Sequence, residues 1–170
     1  RAENETAALA MARKYLAFFP SNAWQAPPRT GGEDSGERSL DDILEIIPPD
    51  DRSPYPIRAL IERLCDRGSV FEIQPGFGQA MVTCLAFLGG RAVALVANDP
   101  SVRGGAVDSD GALKGSRFIE VAGAFHLPVL FLADNPGVMA GTQAERAGAL
   151  RYAARMFAAQ HRLRSPKFSV

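Results

Sequence analysis

Two long apolar runs, residues 80–88 and 91–97, are separated only by Gly89-Gly90, and a third follows at 128–133. A two-glycine break between apolar runs is a hairpin signal, so the first two predict an antiparallel pair. The runs are apolar on both alternating sets of positions, which marks strands covered on both faces. Between the second and third runs, residues 111–126 place Phe118, Val121, Ala122 and Phe125 at helical spacing, with Gly115 and Gly123 allowing close approach of neighbouring backbone. The expected core is a mixed sheet in which residues 91–97 and 128–133 are neighbours joined by this helix.

Around that core the periodicity changes several times. Residues 6–19 put Ala8, Met11, Ala12, Tyr15, Leu16 and Phe19 on one helical stripe that Pro20 terminates. Residues 21–39 mix Pro27, Pro28, Gly31, Gly32 and Gly36 with charges and keep no period, which reads as a surface linker. A helical patch over 40–47 stops at Pro48-Pro49. A second helix follows Pro54-Tyr55-Pro56, with Ile57, Leu60, Ile61 and Leu64 as its buried stripe and Gly68 at its end. Residues 70–73 form a brief strand before the turn Gln74-Pro75-Gly76. Thr142-Gln143-Ala144-Glu145 has the form of a capping box, and Ala147, Leu150, Ala154 and Phe157 continue that helix as its expected buried stripe. Residues 166–170 look like the start of another strand, and Arg1 is not an initiator methionine, so the chain reads as an excerpt from a longer protein. The expected organisation is a leading helix over 1–20, a linker over 21–39 and a core over 40–170.

Composition narrows the classes. The chain has 170 residues, 46% of them hydrophobic, and 19 basic residues balance 19 acidic ones. That length supports one substantial core. Zero net charge without a basic run argues against nucleic acid or an anionic membrane as the main partner. Cys65 and Cys84 have no Cys or His at metal-ligand spacing, and two reduced core thiols are a simpler reading than a disulfide. They point to the cytoplasm or an organelle matrix. Gly89-Gly90-Arg91 cuts the apolar stretch 81–97 into pieces too short to span a bilayer.

The candidate chemistry lies in two loops. Asn98-Asp99-Pro100 through Gly104-Gly105 follows one buried strand, and Asp134-Asn135-Pro136-Gly137 through Gly141 follows another. In open α/β folds ligands bind beyond the carboxyl ends of strands, where exposed backbone N–H groups can hold anionic oxygens. Side-chain catalysis has little to draw on. His126 and His161 each fall near a helix C-terminus, where a surface or capping role is the ordinary one, and no Ser or Cys sits in a nucleophile motif. Asp134-Asn135-Pro136-Gly137 imitates the magnesium-holding Asp-x-x-Gly of GTPases, but no phosphate-cradling Gly-x-x-x-x-Gly-Lys-Ser/Thr precedes it. Lys114, Arg117 and Glu120 share a helix face and read as a solvated stripe rather than a phosphate or partner site.

A long ordered series runs through the chain: Pro54-Tyr55-Pro56-Ile57-Arg58, Phe71-Glu72, Phe77-Gly78, Val82-Thr83, Gly90-Arg91-Ala92-Val93, Ala97-Asn98-Asp99-Pro100, Gly104-Gly105-Ala106-Val107-Asp108, Lys114-Gly115-Ser116-Arg117-Phe118, Asp134-Asn135-Pro136-Gly137, and Gly141 with Glu145. Read together, these segments resemble the C-terminal domain of biotin-dependent acyl-CoA carboxyltransferases, the family of acetyl-, propionyl- and methylcrotonyl-CoA carboxylase subunits and the related glutaconyl-CoA decarboxylase. The resemblance implies an α/β fold of the crotonase/ClpP-like type, a spiral of ββα units that this chain would fill only in part. It also implies transfer of CO2 from carboxybiotin to an acyl-CoA through an enolate held by backbone oxyanion holes. By the same resemblance Asn98, Gly104, Gly105, Asn135, Pro136, Gly137, Val138, Met139 and Gly141 belong to the loops of the biotin and acyl cavity. Phe77 and Gly78 are candidates to line the acyl-CoA.

The family commonly has Thr-Pro-Gly-Phe where this chain has Asn135-Pro136-Gly137-Val138, and Gln-Pro where it has Asp99-Pro100; both changes sit in site loops and bear on substrate choice. The Gly-Gly-Ala element of one oxyanion hole is expected after Val170 and the other hole in an N-terminal half, so no certain catalytic residue is expected within this chain. No Met-Lys-Met biotin-attachment motif occurs, so biotin is expected on a biotin carboxyl carrier or biotin carboxylase subunit. A homo-oligomer is expected, with apolar helix surface exposed on this chain. The alternatives are a biotin-dependent acyl-CoA decarboxylase subunit, a crotonase-type hydratase, isomerase or thioester hydrolase using Asp108, Asp110 or Glu145, and a noncatalytic assembly domain.

Overall fold

The computed structural model describes residues 2–31, 39–50 and 53–170. Five strands, β1 (Phe71–Glu72), β2 (Met81–Leu88), β3 (Arg91–Asn98), β4 (Val129–Leu132) and β5 (Lys167–Ser169), form one sheet in that order. β2 runs antiparallel to both of its neighbours, β1 and β3, while β4 pairs parallel with β3 and β5 parallel with β4. The two-glycine hairpin forms as expected, with Leu88 opposite Arg91 and the register running to Met81 opposite Asn98. The buried carboxylate of Asp66 clamps the turn, accepting from the Gly89 and Gly90 amides at 2.8 and 2.7 Å. The expected neighbours also pair, Ala94 with Val129 and Ala97 with Leu132.

Strand side chains alternate between two cores, as the pleat requires. Met81, Leu85, Ala92, Ala94, Val96 and Val129 face one layer, formed by α4 (Ser109–Ala124) and α6 (Ala149–Arg162). Val82, Cys84, Ala86, Val93, Leu95, Ala97 and Leu132 face the other, where α3 (Ile57–Leu64) contributes Ile57, Leu60 and Ile61 as its spacing predicts. Cys65 and Cys84 are buried in that second layer as reduced thiols, and burial pushes the Cys84 thiol well above its ordinary value.

Several expectations need correction. The leading helix, α1 (Glu5–Leu16), is capped by Asn4, whose side chain accepts from the Ala7 amide at 2.9 Å. Its stripe is largely exposed: only Tyr15 and Phe19 pack on the core, and the fully buried anchor is Phe18, just past the helix end. Of the linker, residues 32–38 lie outside the described residues, but its described part is not all free surface. The Thr30 amide donates to the Gly90 carbonyl at 2.7 Å and the Ala92 amide to the Pro28 carbonyl at 3.3 Å, extending the sheet where β4 does not reach. The patch at 40–47 shortens to α2 (Ile43–Ile46).

The helix stripes are corrected most. On α4, Val121 is exposed, and the buried face carries Lys114, Phe118, Ile119 and Ala122. Lys114 is therefore not part of a solvated stripe: it is 2% exposed, and its ammonium donates to the Met81 carbonyl at 2.8 Å. That carbonyl points away from β3 where β1 has already ended, so without the lysine a sheet acceptor would be unpaired. Burial pulls the Lys114 pKa below its ordinary value.

Thr142 makes no capping box. Gly141 is the N-cap of α5 (Thr142–Arg146) without a side-chain cap, and a left-handed Gly148 breaks the chain before α6. On α6 the buried face is Ala149, Ala153, Met156 and Ala159, while the expected stripe of Ala147, Leu150, Ala154 and Phe157 faces outward. Small residues win because α4 comes very close: a Cβ on Gly115 would lie 2.9 Å from Met156 Sδ and one on Gly123 3.1 Å from Leu163 Cδ1. Leu150 and Phe157, 76% and 60% exposed, supply the outward apolar surface expected of a subunit.

Candidate active site: two interlocked loops

The loops that leave the carboxyl ends of β3 and β4 are bonded to one another. Asn98, the last residue of β3, is buried; its Nδ2 donates to the Gly105 carbonyl at 2.9 Å, and its Oδ1 accepts from Asn135 Nδ2 at 3.0 Å. Asn135 Oδ1 in turn accepts from the Gly137 amide at 2.9 Å. A relay of two carboxamides thus runs from Gly105 to Gly137, with each amide used as donor and acceptor. Beyond it, the Val107 amide donates to the Gly137 carbonyl and the Met139 amide to the Val107 carbonyl, both at 3.0 Å, making a parallel bridge between Val107 and Val138.

Gly105 lies where the two loops touch. It has φ +75, and a Cβ built there would meet the Asp134 carbonyl oxygen at 2.3 Å, so the fit requires glycine. The preceding residues are left-handed as well, Arg103 at φ 55 and Gly104 at φ 62. Arg103 Nη1 donates to Asp108 Oδ2 at 2.7 Å and lies 3.8 Å from Met139 Sδ in the other loop. The second oxygen of Asp108 caps α4 by accepting from the Gly111 amide at 2.7 Å.

Residues from the other side of the sheet fix the loop bases. Asp99 is buried and accepts from Arg58 Nη1 at 2.6 Å, from the Ser101 amide at 3.0 Å and from the Ser101 hydroxyl. Arg58 makes a second, bidentate pair with Glu72 at 3.0 and 2.8 Å; this bond first, and the one to Asp99 after it, raises the guanidinium pKa further. Burial, and after it the nearby Asp134 carboxylate, push the Tyr55 phenol up to about 12. The sequence shows Tyr55, Arg58 and Asp99 only as parts of family-like segments. No local pattern reveals that they meet the loops, because Tyr55 and Asp134 or Arg58 and Asp99 come together only through the fold.

A cavity of about 520 Å³ opens beside the loops, lined on the loop side by Asn98, Val107, Asn135, Gly137 and Val138 and elsewhere by Phe131, Met156, Phe157 and Phe168. Four of the expected site residues, Asn98, Asn135, Gly137 and Val138, therefore meet at one wall. Gly104, Gly105, Pro136, Met139 and Gly141 sit in the same loops without lining it. Phe77 and Gly78 are elsewhere: a Cβ on Gly78 would lie 2.8 Å from the Asp110 backbone, so this turn braces the start of α4.

Neither histidine reaches the cavity; His126 Nε2 is 2.8 Å from the Ala23 carbonyl, and His161 is exposed on the last turn of α6. Asp108, Asp110 and Glu145 do not line it either, and Asp108 is occupied with Arg103 and the helix cap. No carboxylate among the described residues lines this cavity. Among the described residues there is no cluster of three His, Cys, Asp or Glu able to hold a metal, and no helix long and apolar enough to cross a membrane.

The class is defined by a crotonase-like mixed α/β fold, and the candidate site within it is built from backbone and carboxamides. Within it, this chain belongs to the carboxyl transferase domain family, which it matches over residues 1–170. It is 39% identical over 169 residues to an uncharacterized carboxylase, YngE, of Bacillus subtilis, covering 99% of this chain and 33% of that protein. It is 34% identical over 168 residues to the carboxyltransferase subunit of propionyl-CoA carboxylase from Haloferax mediterranei, and 33% identical over 169 residues to the methylmalonyl-CoA decarboxylase alpha subunit of Veillonella parvula, with the same shares covered. Among solved structures, the transcarboxylase 12S hexamer with methylmalonyl-CoA and methylmalonic acid bound superposes with a TM-score of 0.93 at 31% identity, over 99% of this chain and 33% of that one. The chain thus spans about a third of the length of these relatives.

Proposed function

We propose that this chain is the part of a biotin-dependent acyl-CoA carboxyltransferase that receives carboxybiotin, and that the 98–108 and 134–141 loops wall the receiving cavity. The observation carrying this reading is the cavity at the carboxyl ends of β3 and β4, where Asn98, Asn135, Gly137 and Val138 converge. Its shape chemistry fits a bicyclic urea: apolar walls from Val138, Phe131 and Phe157 for the rings, and a remaining Asn135 N–H for a ureido oxygen. Bound carboxybiotin supplies the CO2; the chain's residues orient it and exclude water. Phe77 and Gly78 are assigned to the acyl-CoA side, outside this cavity.

The rest of the site comes from an N-terminal carboxyltransferase half, and biotin arrives on a carrier chain or domain. The protein acts as a homo-oligomer whose subunit contacts cover the outward face around Leu150, in the cytoplasm or an organelle matrix. Residues 1–20 and 21–39 serve as the lead-in and linker to the 40–170 core.

In the full-length protein, carboxylated biotin carrier plus propionyl-CoA or a longer acyl-CoA is expected to yield the carboxylated thioester, and light scattering is expected to show an oligomer. Hydration or hydrolysis of the thioester without carboxyl transfer would refute the reading, as would an active monomer the oligomeric part.

A further inference from the structure

We propose that Arg103 is a positioning residue for carboxyl transfer, a charged clasp that holds the 134–141 loop against the 98–108 loop and so sets Val107, Gly137 and Val138 at the cavity wall. This rests on the carboxyltransferase reading and adds to it a residue that no motif marks.

The argument begins with strain. Arg103, Gly104 and Gly105 form a left-handed run, and two of the three are the residue type that adopts it without penalty. The third is an arginine, for which φ 55 is unfavourable, and such outliers persist where the side chain makes contacts that compensate. Here the compensation is a connection. One guanidinium nitrogen reaches Asp108, the cap of α4, and Met139, which lies in the facing loop. The Val107–Val138 bridge lies between those two loops and belongs to the cavity wall.

The arginine side chain is 58% exposed, so its pairing with Asp108 is screened and adds little to global stability. What it decides is where the second loop sits. Reaction rates are sensitive to displacements of about 1 Å, so a loose loop is felt in the chemistry before it is felt in folding.

The test uses the full-length enzyme and three forms: wild type, Arg103→Gly and Arg103→Lys. Glycine removes the clasp and also the left-handed strain, so the melting temperature is expected to stay level or rise slightly. The KM for the carboxylated carrier is expected to rise on the order of tenfold while the KM for acyl-CoA is unchanged, and lysine, which keeps a cation near Asp108, is expected to restore most of the loss. An Arg103→Gly enzyme with unaltered kinetics, or one whose loss of activity only follows a loss of thermal stability, overturns the inference. A wild-type enzyme that transfers no carboxyl group overturns the underlying reading and the inference with it.

Discussion

Gly105→Ala is expected to destabilise the protein by at least about 3 kcal/mol, clearly more than Gly104→Ala next to it. Both glycines are left-handed, and placing alanine in that region costs about 1–2 kcal/mol by itself. At Gly104 nothing lies within 4 Å of the new methyl, so the conformational term is the whole effect. At Gly105 the methyl would stand 2.3 Å from the Asp134 carbonyl oxygen and 3.4 Å from Asn98 Cβ. Neither neighbour is the end of a flexible side chain. The loops must separate, which breaks the bond from Asn98 to the Gly105 carbonyl and, through it, the relay to Asn135. Thermal unfolding of the two variants checks this: a melting temperature lower by about 6–12 °C for Gly105→Ala follows from roughly 2–4 °C per kcal/mol at this size. Equal melting temperatures would show that the loops are not locked at this point.

Gly137→Val is expected to lower carboxyl transfer in the full-length enzyme by at least tenfold, about 1.4 kcal/mol in the barrier, with the fold retained. Gly137 has φ +119, a conformation closed to a β-branched residue, yet its surroundings are open. The substitution therefore acts on the backbone and not through a clash. Its amide is held by Asn135 and its carbonyl by Val107, and it lines the cavity, so a change in its φ moves the wall. Steady-state carboxylation of propionyl-CoA and longer acyl-CoA substrates, paired with thermal unfolding, separates the outcomes. Unchanged turnover on every substrate would remove this loop from the site, and a collapsed melting temperature would make Gly137 a folding residue.

Much of the sheet was legible in the residue pattern because it depends on local signals. The Gly89-Gly90 turn sets the β2–β3 register, and two-sided apolar runs identify β3 and β4 as covered strands. The helix faces were harder to read. On α6 both the stripe through Leu150 and Phe157 and the one through Ala153 and Met156 have helical spacing, and the larger side chains suggest the wrong one. The choice is made by the closeness of α4 at Gly115 and Gly123, a tertiary fact. Lys114 departs from the solvated-stripe pattern for a similar reason: it satisfies the Met81 carbonyl, an acceptor left over because β1 is two residues long.

The candidate site shows the same division. Placement of both loops at strand ends followed from the alternation of strands and helices, and Asn98, Asn135, Gly137 and Val138 do share a wall. The bonds that join the loops did not follow, since side-chain pairs such as Asn98 with Asn135 leave no periodic trace. The glycine pair at 104–105 also proved unequal, one residue in open space and one in contact with the facing loop.

The change from antiparallel to parallel pairing at β3 has a kinetic consequence. A two-residue turn closes β2 on β3 within about 1–10 μs, whereas β4 can align only after the whole 99–128 crossover has been brought back. β5 must wait for a second crossover of the same kind through α5 and α6. The hairpin should accordingly serve as a template on which later strands are added one at a time, in the order of synthesis. Pulse-labelled hydrogen exchange during refolding would show β2–β3 amides protected before those of Val129–Leu132, and simultaneous protection would argue for a single concerted step. On this order, the two loops reach each other only once β4 has docked, so the cavity wall is among the last parts of the molecule to form.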